Sequence, residues 1–117
     1  VARFFGGCNF IQGRVKNGVF RSEFCNVPVP QANGNGHLRT ATIRPEDILL
    51  SADANYDLHG KIAKTNFEGS ATRIWVNCRE NRFVVLTSDN DYTPGQSVRI
   101  HLPPDKIRII PCETESA

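Results

Sequence analysis

Catalysis in a chain of 117 residues would have to come from histidines, cysteines, paired carboxylates or a glycine-rich phosphate loop. His37, His59 and His101 each stand alone. No nucleophile and carboxylate lie at a spacing that would make any of them a general base, so acid–base and covalent catalysis have no foundation here. Cys8, Cys25, Cys78 and Cys112 form no C-x-x-C pair, and no histidines cluster beside them. Free thiols are therefore expected rather than a zinc site or a disulfide framework, and with them a reducing, cytosolic compartment. Gly34-Asn-Gly36 has the start of a dinucleotide fingerprint but lacks its third glycine and a following helix, so it reads as a turn. The expected catalytic, cofactor-binding and metal-ligating sets are all empty.

Binding is better supported. From Thr72 to Cys78 the residues alternate, with Thr72, Ile74, Val76 and Cys78 on one face and Arg73, Trp75 and Asn77 on the other. Tryptophan and arginine are over-represented among binding hot spots, which makes Arg73, Trp75 and Asn77 the candidate interface, the alternative being that a second lobe covers them. Arg44 and Glu46 are placed to form an ion pair that fixes a corner, the alternative being that they reach a partner. Phe67 to Ser70 reads as a hairpin bend in which Gly69 supplies the backbone freedom.

The elements that must carry these residues are strands. Val98, Ile100 and Leu102 oppose Arg99 and His101, Ile107 and Ile109 flank Arg108, and Phe83 to Leu86 is a short β-branched and aromatic run. Asn17-Gly18 between Val15 and Val19 is a type I′ hairpin signal, and Pro94-Gly95 a type II turn signal. No long window shows helical spacing, so the class is all-β. Pro28 to Gly36 is expected to be a surface loop, and the polar stretch Ser51 to Asp57 a linker between two pieces. Hydrophobic residues make up 39% and charged ones 22%, which suits a single water-soluble unit with two lobes. The net charge of +2 is scattered along the chain and offers little to a nucleic acid. Methionine is absent, so Val1 is not a translation start and a segment upstream of it is expected.

The two pieces echo one another. One opens with Gly13-Arg-Val15 and closes with Ile43-Arg-Pro45-Glu46-Asp-Ile48, and the other opens with Gly60-Lys-Ile62 and closes with Leu102-Pro-Pro104-Asp105-Lys-Ile107. Each closing reads as a strand, a proline-initiated single helical turn and a second strand. Proline at the first position of such a turn loses no needed donor, and the acidic residue after it faces the turn's positive end. The second span is longer by enough for about two short strands. Two side-by-side small barrels of the oligonucleotide-binding-fold type are expected, the second more complete.

Asn9-Phe10-Ile-x-Gly13-x-Val15, Thr42-Ile43-Arg44-Pro45-Glu46-Asp47, Gly60-Lys-Ile62 with Phe67-Glu-Gly69-Ser70-x-Thr72, and Leu102-Pro-Pro104-Asp105 follow one another at consistent spacing. In these residues the chain resembles the C-terminal regulatory (transport-associated, TOBE-type) region of ATP-binding-cassette importer ATPase subunits, the group serving sugars, polyamines or ferric iron. It departs in having Thr42 where the family commonly has glycine, and Glu68-Gly69 where it has Leu-Gly.

The resemblance implies that residues 1–9 end a linker from an upstream ATPase domain, that 10–50 and 58–110 are the two β lobes joined by 51–57, and that 111–117 are a tail. It implies Gly13, Arg44, Pro45, Glu46, Gly60, Gly69 and Pro104 as structural positions. ATP and magnesium would belong to the upstream domain. No G-x-x-x-x-G-K-[ST] loop or Ser-Gly-Gly-Gln signature is present in this chain. The implied partners are a second copy of the chain, its own ATPase domain, the membrane permease reached through that domain, and a regulatory protein or small ligand. The implied place is the cytoplasmic face of the membrane, and the implied role is to tether two ATPases and receive regulators. The rival functions are a stand-alone single-stranded nucleic-acid-binding domain and a small oxyanion sensor of the molybdate type.

Overall fold

Alternating apolar and polar side chains, broken by glycine and proline, fold into eleven short strands among the described residues. The computed structural model describes residues 2–28, 37–53, 55–56, 58–89 and 91–110. β1 (Ala2–Phe5), β2 (Cys8–Lys16), β3 (Val19–Arg21), β4 (Asn26–Pro28) and β5 (His37–Ile43) fill the first part, followed by β6 (Leu49–Ser51). β7 (Leu58–Phe67), β8 (Thr72–Cys78), β9 (Asn81–Thr87), β10 (Ser97–His101) and β11 (Arg108–Ile109) complete the order. The turns are those their residues demand. Asn17 and Gly18 both take positive φ, 53° and 74°, as a type I′ hairpin requires. Gly95 sits at φ 88°, and Gln96 N–H donates to the Thr93 carbonyl at 3.2 Å. Most of the loop 28–36, together with Cys112 and the tail 111–117, lies outside the described residues.

The strands form two curled antiparallel sheets, the architecture of two small oligonucleotide-binding-fold-like lobes. One runs β11-β5-β2-β3-β4 with β1 also on β2, and the other runs β6-β10-β7-β8-β9. The sheets exchange strands across residues 51–57. β6 leaves the first part to pair with β10, Leu50 opposite Ile100. β11 returns from the second part to pair with β5, Ile109 opposite Ala41. The connections that carry the chain across are two 3-10 turns, Pro45–Asp47 and Pro104–Lys106, each with proline at its start. Thus the sequence echo is a strand–corner–strand unit used twice, each corner handing the chain to the other sheet.

Backbone hydrogen bonds close both corners. Asp47 N–H donates to the Arg44 carbonyl at 3.0 Å, and Lys106 N–H to the Pro103 carbonyl at 3.0 Å. The expected Arg44–Glu46 ion pair is not made. Among the described residues the ion pairs are Arg73–Glu68 and Arg79–Glu23. A turn closed by its own backbone does not need the pair, and the salt bridge would be exposed and weak.

One continuous core lies between the sheets. Ile11, Val15, Phe20 and Ile43 from the first meet Ile62, Ile74, Phe83 and Ile100 from the second, all essentially inaccessible. Phe24 packs edge-on against Phe83 with centroids 5.0 Å apart, the preferred geometry for two aromatic quadrupoles. The echoed glycines are required by close approach. A β-carbon on Gly13 would overlap the Arg21 carbonyl and the Phe20 ring, and one on Gly60 would collide with a Val76 methyl.

Candidate interface on the second sheet

β8 sits between β7 and β9, so its alternation decides which side chains enter the core and which face outward. Thr72, Ile74, Val76 and Cys78 are buried, whereas Arg73, Trp75 and Asn77 are half-buried on the opposite face. The three expected interface residues therefore share one surface, two residues apart along a single strand.

Each has a defined partner. Arg73 binds Glu68 through two bonds, Nε to Oε2 at 2.8 Å and Nη2 to Oε1 at 3.3 Å, across the β7–β8 bend. That pairing holds the Glu68 carboxyl below its ordinary range and raises the guanidinium, and the field of Glu46 on the first corner adds to the latter. Gly69 in the bend takes φ 83°, which lets Glu68 N–H reach the Ala71 carbonyl at 2.7 Å. Lys64, opposite Trp75 in the register, places its ammonium 4.9 Å from the indole centroid, a cation–π contact. Asn77 Oδ1 accepts from Arg82 Nε at 2.9 Å.

The first lobe covers part of this face. Phe4 of β1 lies 6.0 Å from the Arg73 guanidinium. Asn9 is fully buried and pairs with β9 as a strand would, its Nδ2 donating to the Val84 carbonyl at 2.9 Å and its Oδ1 accepting from Val84 N–H at 2.8 Å. Val84, directly across from Trp75, is accordingly inaccessible although it points away from the core. Coverage stops there, because Lys61, Lys64 and Arg82 are exposed. Asn9 appeared in the sequence only as part of a motif, and its one local signal was a polar residue on the phase of Ile11 and Val15.

A solvent-open cleft of about 550 Å³ adjoins this face, lined by Glu23, Phe24, Gly60, Lys61 and Arg79 among others. Cys78, also in its lining, donates its thiol to the His59 carbonyl at 3.2 Å, and burial raises its pKa. Burial also raises Cys25, against a smaller opposing effect from the Ser22 hydroxyl. Both thiols are thereby held neutral and poorly nucleophilic. His101 stacks on Tyr56 at 5.6 Å, and the His37 side chain lies outside the described residues. No group of metal-ligating side chains occurs among the described residues. No helix there is long and apolar enough to cross a membrane. The surface can make contacts rather than chemistry.

Comparison with known proteins agrees with this architecture. A molybdate-bound crystal structure of the cytoplasmic molybdate-binding protein ModG superposes with a TM-score of 0.70, covering 88% of this chain and 96% of that one. At 14% identity the likeness is one of fold. The spermidine/putrescine import ATP-binding protein PotA of Pseudomonas fluorescens is 29% identical in an alignment of 117 positions that covers 89% of this chain and 32% of that protein. A putative ABC transporter ATP-binding protein of Escherichia coli K12, YcjV, is 27% identical in an alignment of 129 positions that covers 100% of this chain and 36% of the relative. The chain thus spans about a third of the length of these curated relatives. Residues 41–110, more than half of the chain, match the TOBE domain, a non-catalytic part of such subunits. The chain belongs to the TOBE domain family, in the form carried by ATP-binding subunits of ABC transporters.

Proposed function

We propose that this chain is the regulatory part of the ATP-binding subunit of an importer, holding two such subunits together and receiving the regulators that act on them. The observation that carries the reading is the TOBE match over residues 41–110 in a chain whose relatives are transporter ATP-binding proteins about three times as long. The likeness to PotA, a spermidine/putrescine import protein, favours the polyamine class over sugars and ferric iron. The subunit would sit at the cytoplasmic face of the membrane, attached through a permease, with ATP and magnesium held upstream. A regulator bound here could act only by preferring the open or the closed ATPase dimer. Light scattering on the purified chain tests the tether. A dimer whose population rises with concentration is expected, and a strict monomer at high concentration would contradict it.

The likeness to ModG supports a second reading, an oxyanion-sensing domain. Calorimetry with molybdate, tungstate and sulfate separates the two. The regulatory tether predicts flat titrations, and saturable heat with molybdate would favour the sensor.

A further inference from the structure

All described carboxylates lie in loops or corners: Glu23, Glu46, Asp47, Asp53, Glu68, Glu80, Asp89, Asp91 and Asp105. The strands carry only cations. On the second sheet this makes the outward face one-signed, because β7, β8, β9 and β10 contain no acidic residue. Register places the cations side by side. Lys61 lies opposite both Ser97 and Asn77, Asn77 lies opposite Arg82, and Lys64 lies opposite Trp75. Glu68 neutralises Arg73 at one end, while Lys61, Lys64 and Arg82 are exposed and belong to no ion pair among the described residues.

We infer that the Lys61–Lys64–Trp75–Arg82 surface docks a carboxylate-rich segment of another protein. This deepens the regulatory reading by giving the regulator its chemistry. Three considerations select that occupant. A second copy meeting the surface through a two-fold axis would bring like charges face to face, which repels. A nucleic acid running along the strands would meet Glu68 at one end and Glu80 at the other. Its bases would also find Trp75 already capped by Lys64. A compact acidic segment meets neither obstacle. Its carboxylates would pair with the two lysines and with the Arg82 fork, beside the indole that Lys64 covers.

Trp75 is the chain's only tryptophan, so its fluorescence reports occupancy of this face directly. Titration with an oligo-glutamate peptide is expected to give a saturable, salt-sensitive change in emission. The double variant Lys61→Glu/Arg82→Glu should weaken binding by roughly tenfold or more, with an unchanged circular dichroism spectrum, and the charge-conserving Lys61→Arg should retain it. Arg14→Glu/Arg21→Glu on the first sheet makes the same change in net charge and should leave binding within about twofold, since those residues lie on the other sheet. The inference is overturned by an absent fluorescence change, by equal losses in the two double variants, or by tighter binding of an oligodeoxythymidylate than of the peptide. Dimerisation of the chain is read separately by light scattering, so failure here and failure of the tether are distinguishable.

Discussion

The two halves of the molecule carry the same local code, a glycine within a long strand and a proline corner that closes the unit, yet they are built in to different depths. A β-carbon on Gly13 would overlap both a backbone carbonyl and the buried Phe20 ring, whereas on Gly60 it would overlap one methyl of Val76 and only graze the Asn77 carbonyl at 3.0 Å. Pro45 is buried and its corner packs on β9, while the second corner buries none of its residues. Asn9 stitches the first lobe to Val84 of the second. The lesson is that equal sequence signals produce equal local turns, while the energetic weight of each turn depends on what the other lobe lays over it.

Substitutions should expose that asymmetry. Gly13→Ala is expected to cost about 3 kcal/mol, because a carbonyl and a packed ring cannot both yield, and Gly60→Ala about half as much. Denaturant midpoints for the pair measure the difference, and equal losses would remove it. Asn9→Ala should cost about 2 kcal/mol by leaving the amide and carbonyl of Val84 without partners in a dry site. Hydrogen exchange at Val84 should accelerate in that variant beyond exchange in β10. Pro45→Ala should cost about 1 kcal/mol and Pro104→Ala less than about 0.5, because only the first ring is buried.

The smallest effect belongs to the Glu68–Arg73 pair. Glu68 is depressed from an ordinary value of 4.5, chiefly by the Arg73 hydrogen bond, so its contribution to stability is present above that pH and lost as the pH falls through the folded value. Because the carboxylate faces solvent, the loss should be slight. Glu68→Gln should lower the neutral plateau slightly and leave the acid end unchanged, so that the acid limb flattens, as thermal melts across that range would record.

Local features were legible in the sequence because their causes are local. The faces of β8 followed from alternation at Thr72–Cys78, the I′ turn from Asn17-Gly18, and both corners from their prolines. The rest depends on distant partners. Neither Leu49–Ser51 nor Arg108–Ile109 carries any mark of the sheet it joins, since pairing is decided by what its corner crosses. The β-bulge between Ile62 and Lys64, which brings Lys64 rather than Ala63 opposite Trp75, has no signature in the residue types around it. The Arg44–Glu46 pair follows from proximity along the chain, yet the corner is closed by its own backbone hydrogen bond and Glu46 adds only a minor field at Arg73. The candidate interface was thus found by type and phase, while its basic surround required the register.

The tether is tested most directly by the mass in solution of the intact ATP-binding subunit that carries this chain, measured by light scattering without nucleotide. With no ATP to close the nucleotide domains on one another, the account predicts a dimer that the TOBE region alone sustains. A monomer that associates only on addition of ATP would contradict it.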